Sequence, residues 1–202
     1  MKKLVFCILA GIAVLVGVML VRAVTLPSRQ INPSPAVAIG VDRDRVVARL
    51  AQAIQFKTIS AQPLDEASSQ EFSRLHAFLQ RSFPRLHERL SRETVGEHSL
   101  LYTWPGKDAR LKPMLLMAHM DVVPVDPTTE KSWRHPPFAG TIADGHVWGR
   151  GTMDDKASVL GILEAVEHLL NEGFQPERTV YLALGHDEED RKSTRLNSSH
   201  RL

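Results

Sequence analysis

Two short apolar runs separated by one amphipathic helix constrain this chain more than anything else in it. Met114–His119 and Thr179–Leu184 have the length and continuity of strands buried on both faces. Between them, residues 156–171 place Leu160, Leu163, Val166, Leu169 and Leu170 on one side of a helix, with Gly173 in the stop position. Strand, helix, strand in this order predicts a βαβ crossover and an α/β fold. Ser99–Trp104 reads as a further strand, ended by Pro105-Gly106. Residues 138–148 read as a hairpin around Asp144-Gly145, a pair that favours a type I′ turn. Upstream, Val46, Val47, Leu50 and Ile54 form one helical stripe, and Phe72, Leu75 and Leu79 another that Pro84 closes.

The first residues belong to a different environment. Leu4–Val21 is an uninterrupted apolar run between Lys2-Lys3 and Arg22. As a helix it is roughly 27 Å long, close to the roughly 30 Å hydrocarbon core of a bilayer. Its length favours an uncleaved anchor, and Val21-Arg22-Ala23 leaves signal cleavage as the alternative. Lys2 and Lys3 place the following chain outside the cytoplasm, membrane-anchored or, after cleavage, secreted or periplasmic. The net charge of +2 misleads, because four basic residues in the first thirty and four in the last twelve have no acidic neighbours in those stretches. Without these eight, 17 basic residues face 23 acidic ones, which gives no basic stripe for nucleic acid. The single cysteine, Cys7, excludes an intramolecular disulfide and a cysteine-based zinc cage.

Both strand-like runs end in residues that bind metals. His119-Met120-Asp121 closes the first, and His186-Asp187-Glu188-Glu189 follows the second. Between them, Gly149-Arg150-Gly151-Thr152-Met153-Asp154-Asp155-Lys156 brings two carboxylates to the predicted helix start. Acidic residues there complement the helix dipole in many proteins, so the turn alone decides nothing. Ligands of open α/β sheets sit beyond the carboxyl ends of the strands, however, where all three segments converge. His119 and Asp121 are two apart and face one way in an extended segment, so the carboxylate can brace the imidazole. Histidine and carboxylates without cysteine suit zinc or another divalent ion. Of two adjacent glutamates, one can ligate while the other moves a proton. His186 reads as a neighbour of the site, Asp155 and Asp187 as either site or scaffold, and Trp133, Pro136 and Phe138 as loop packing. His76, His87, His98, His135, His146 and His168 read as surface or structural residues.

These segments, with Val122-Val123-Pro124-Val125 after Asp121 and Trp133-Arg134-His135-Pro136-Pro137-Phe138, resemble the M20 family of di-zinc metallopeptidases. Within it, they look like the branch of carboxypeptidase S and the N-fatty-acyl-amino-acid synthase/hydrolases. The resemblance covers residues 42–190. It implies a zinc-dependent-exopeptidase-like α/β fold, a mainly parallel sheet flanked by helices, of which only the N-terminal part is expected here. It also implies two zinc ions, with cobalt or manganese as alternatives. His119 would ligate one ion, Asp154 bridge both and Glu189 ligate one. Asp121 would brace His119, and Glu188 would be the general base that deprotonates water for attack on an amide carbonyl. A cis peptide between Asp154 and Asp155 is implied too. The substrates would be short peptides or N-acyl amino acids.

The chain then divides into a transmembrane signal-anchor at 1–24, a linker at 25–41, the N-terminal part of an M20 catalytic domain at 42–190, and a tail at 191–202. The tail is polar and aperiodic, is similar to a translated sequencing adaptor, and is expected to be foreign or disordered. The family pattern continues after the two glutamates with further ligands and a dimerisation domain, which this tail does not supply. An incomplete, inactive portion of the enzyme is therefore expected, able to dimerise only through the missing domain. The competing expectation is a non-catalytic, membrane-tethered binding domain that keeps the fold.

Overall fold

The computed structural model describes residues 2–27, 39–60 and 64–190. Most of the expected linker and all of the tail from 191 lie outside the described residues. The chain divides between Gly40 and Val41 into two units. The first is helix α1 (Lys2–Thr25), which buries no side chain and is long and apolar enough to cross a bilayer.

The second unit begins with α2 (Arg43–Ile54), capped by Asp42, whose side chain accepts from Arg45 N–H at 3.1 Å. Asp65 caps α3 (Glu66–Ser82) in the same way through Ser68 N–H at 2.7 Å. Pro84 ends that helix and opens α4 (Pro84–Arg89), a place where its missing N–H costs nothing. Phe83 gives α4 no side-chain cap. Glu167 supplies one from a distant helix, accepting from Arg85 N–H at 3.1 Å and Leu86 N–H at 2.8 Å. That distant helix is α5 (Ala157–Asn171). It stops where predicted: Gly173 has φ 75°, its N–H donates to Leu170 O, and Phe174 N–H donates to Leu169 O at 2.9 Å.

Among the described residues four strands form the main sheet: β1 (Ser91–Val95), β2 (Ser99–Trp104), β3 (Met114–His119) and β6 (Val180–Gly185), in the order β1-β2-β6-β3. The short strands β4 (Thr141–Ala143) and β5 (His146–Trp148) make the expected hairpin. Asp144 and Gly145 both have positive φ, 52° and 75°, as a type I′ turn requires.

The expected mainly parallel sheet is not what these strands build. β3 and β6 are parallel, with α5 as their crossover, but β1–β2 and β2–β6 are antiparallel. The turn at Gly96–His98 forces the first antiparallel pair, and β2 runs opposite in direction to β6. The expectation that β3 is buried on both faces also fails. It is the outer strand among the described residues, and Leu115 and Met117 stay 52% and 71% exposed. One face of the sheet carries Leu100, Tyr102 and Trp104 of β2 opposite Leu184, Leu182 and Val180 of β6. There they meet Phe72, Leu75, Phe78 and Leu79 of α3, Leu86 of α4, and Leu160, Leu163 and Val166 of α5. This single core fixes the strand ends that carry the site.

Candidate metal centre

The turn that delivers Asp154 is set by backbone geometry. Gly151 has φ 80°, and Lys156 N–H donates to Gly151 O at 3.0 Å across a wide turn. Inside it, Asp154 (φ −123°, ψ 91°) and Asp155 (φ −137°, ψ 22°) are not helical. The peptide between them is cis, as the family resemblance implied. α5 begins at Ala157, one residue after the expected Lys156, and both carboxylates stand just before it as expected. Lys156 closes the turn inward. It is buried, its Nζ donates to Ala53 O at 3.1 Å and Phe56 O at 2.6 Å, and burial pushes its pKa down to about 7.

His119, Asp154 and Glu189, from three separate segments, bring one ligand atom each to within 4.8 Å of one another. His119 Nε2 lies 2.9 Å from Asp154 Oδ1 and 3.8 Å from Glu188 Oε2. On the other side of the ring, Nδ1 faces the Asp121 carbonyl at 3.1 Å and Asp121 Oδ1 at 3.3 Å. The hydrogen bond on this side is to the Asp121 carbonyl, with the Asp121 carboxylate beside it. Asp155 accepts from His119 N–H at 3.3 Å and holds the backbone there.

Burial lowers the pKa of His119, but the hydrogen bond to Asp154 and the charges of Asp121 and Asp155 outweigh it, so the net shift is upward. Burial and then the Asp154 charge push Glu189 up. Both directions describe anionic oxygens and an imidazole crowded into one place. A divalent cation fits this donor set, because one nitrogen and carboxylate oxygens are the ligands zinc takes in sites without cysteine. Below the His119 pKa, capture of a cation through Nε2 would have to displace a proton from the imidazolium. Affinity is therefore expected to rise about tenfold per pH unit below the His119 pKa, levelling off only above the ordinary imidazole value of ~6.5. Co²⁺ titrations at several pH values check this.

The adjacent glutamates face different spaces. Glu188 lines a cavity of about 730 Å³ with His119, Asp155, Asp187 and the apolar Val95, Leu101 and Met117. Glu189 and Asp154 line another of about 530 Å³ with Trp133, Trp148 and Arg150. Trp133 thus borders the site as well as packing under Arg150, whose guanidinium lies 5.3 Å from its ring.

Two of the histidines read as surface or structural residues, His87 and His76, are structural. His87 bridges Phe83 O at 2.8 Å and the Tyr102 hydroxyl at 3.1 Å. His76 is half-buried beside His98, and burial followed by the His98 charge lowers its pKa to about 4. His186 belongs to this group rather than to the ligand set: its ring meets His98 and Phe72, and Nδ1 lies 2.6 Å from Ser99 Oγ. Ser60, which no motif marks in the sequence, donates to Asp121 Oδ2 at 2.7 Å.

Residues 115–200 match the sequence pattern of peptidase family M20/M25/M40. The probable carboxypeptidase S-like 2 of Dictyostelium discoideum is 51% identical over 143 residues, covering 70% of this chain and 27% of that protein. Carboxypeptidase S of Saccharomyces cerevisiae is 42% identical over 154 residues, covering 73% and 27%. The N-fatty-acyl-amino acid synthase/hydrolase of Xenopus tropicalis is 37% identical over 195 residues, covering 93% and 37%. In fold, the chain is similar to human carnosine dipeptidase 1, with TM-score 0.61, 23% identity, and coverage of 74% of this chain and 33% of that one. It is also similar to an M20 family metallo-carboxypeptidase of Sulfolobus solfataricus, with TM-score 0.56, 25% identity, and coverage of 71% and 31%. The chain belongs to the M20 peptidase family, and spans 27–37% of the length of these curated relatives.

Proposed function

We infer that this chain carries part of the active site of a metal-dependent hydrolase that cleaves an amide bond in short peptides or N-acyl amino acids. One observation carries the reading: His119, Asp154 and Glu189 converge within 4.8 Å, with Glu188 beside them and directed to a neighbouring cavity. These three residues would hold a divalent cation, zinc in this reading with cobalt and manganese as alternatives. When bound, it supplies a Lewis acid for the scissile carbonyl and makes water more acidic.

The chain's own residues do the rest. Asp121 keeps a proton on His119 Nδ1, which leaves the Nε2 lone pair for ligation. Glu188 is 63% exposed and reaches into the 730 Å³ cavity, so its carboxylate can take a proton from water and return it to the leaving amine. The apolar residues of that cavity suit an acyl chain or an apolar side chain. In the same reading α1 tethers the protein to a membrane with the catalytic part outside the cytoplasm, or serves as a cleaved signal. The substrate classes rest on what the relatives are named for, and apply to the complete polypeptide.

The test is hydrolysis of N-acyl amino acids and dipeptides by the uninterrupted gene product. Activity is expected to vanish on chelation and to return with Zn²⁺, Co²⁺ or Mn²⁺. Cation binding without turnover of either substrate class would instead indicate a binding domain.

A further inference from the structure

Asp121 is held from a stretch of chain that the proposed chemistry does not use. Beyond α2, residues 58–60 run beside 120–122. Thr58 Oγ1 donates to Met120 O at 2.6 Å, Val122 N–H donates to Thr58 O at 2.9 Å, and Ile59 and Val122 form a parallel bridge. This pairing sets Ser60 against Asp121, and Ser60 Oγ donates to Asp121 Oδ2 at 2.7 Å. The same oxygen accepts Glu189 N–H at 2.9 Å. Asp121 is fully buried, so its charge depends on these donors and on the His119 ring facing Oδ1. One carboxylate therefore ties together the loop after α2, the end of β3 and the loop that carries both glutamates.

We propose that Ser60 is a positioning residue for the cation site, acting through Asp121 on two ligands at once. A carboxylate can rotate about its Cβ–Cγ bond, and two donors on one oxygen stop that rotation. With Oδ2 fixed by Ser60 and the Glu189 N–H, Oδ1 faces His119, and the Glu189 backbone is docked against the same group. Ser60 lines neither the 730 Å³ nor the 530 Å³ cavity. Loss of its hydroxyl leaves, among the described residues, the Glu189 N–H on Oδ2, so the imidazole and the Glu189 carboxylate lose their common reference. The proposal rests on the reading that His119, Asp154 and Glu189 take a cation.

The experiment is Co²⁺ titration of the full 202-residue chain, followed by visible absorption and by competition with Zn²⁺. The wild-type chain is expected to bind Co²⁺. Ser60→Ala is expected to weaken binding about tenfold, the lower end of the range for groups that hold metal ligands, and to alter the Co²⁺ spectrum. Ser60→Thr, which keeps the hydroxyl, restores both. A role in general stability alone would lower the thermal midpoint and leave the bound spectrum unchanged. If Ser60→Ala does not fold, Ser60→Cys, a weaker donor of similar size, is expected to weaken binding by less than tenfold with the same spectral change. Wild-type affinity and spectrum in the folded Ala or Cys variant overturn the proposal, as does failure of Thr to rescue. Absence of Co²⁺ binding by the wild-type chain overturns the cation reading itself, and the role of Ser60 with it.

Discussion

Glu188→Gln in the complete polypeptide is expected to slow amide hydrolysis by about 10²–10⁴-fold, the range that a positioned general base contributes, while leaving cation uptake unchanged. Glutamine keeps the size of glutamate and loses its negative charge and its capacity to accept a proton. The geometry separates the two functions. Glu188 Oε2 lies 3.8 Å from His119 Nε2 on the side of the larger cavity, and the group that could hold a cation is His119, Asp154 and Glu189. Steady-state rates set beside Zn²⁺ content measure both effects on one preparation. Undiminished hydrolysis would remove Glu188 from the mechanism, and loss of the cation would make it a ligand.

Gly151→Ala is expected to destabilise the chain by about 2–5 kcal/mol, combining a left-handed backbone penalty with overpacking. Gly151 has φ 80°, and an added Cβ would stand 2.3 Å from Val122 Cγ1. Valine is stiff at χ1, and Val122 is buried and paired with the chain at 58–59, so it has little room to yield. The displacement would fall between the turn holding Asp154 and the segment holding His119 and Asp121. Denaturant unfolding gives the stability change, and cation titration is expected to show a loss with it. An alanine variant as stable as the wild type would mean that the turn does not need this conformation.

Much of the site was legible because it depends on local pattern. The apolar runs at 114–119 and 179–184, the glycine-bounded turn and the Asp144-Gly145 hairpin each carry their own signal, and the ligand types follow at the strand ends. What could not be read depends on distant partners. All five residues of β1 are exposed, so no alternation marks it. Glu164 and Glu167 look like the polar side of α5, yet both are buried. Glu164 meets Arg49 at 2.9 and 3.0 Å, and Glu167 caps α4. Ser60 has no motif, because its meaning comes from running beside 120–122. The burial of β3 was misjudged for a related reason: an apolar run reports that a strand is hydrophobic, and says nothing about how many neighbours it has.

The imidazole that anchors this centre stands at the tip of β3, which among the described residues hydrogen-bonds to a neighbouring strand along one edge only. A strand so placed frays more readily than the interior β6 beside it. Its far end is clamped by Asp155 on the His119 N–H and by Gly185 O on the Met120 N–H. A cation joining His119 to Asp154 and Glu189 would add a clasp at the same end. Ion capture and resistance to fraying would then draw on one free energy, and the edge of the sheet would be firmest when the centre is filled.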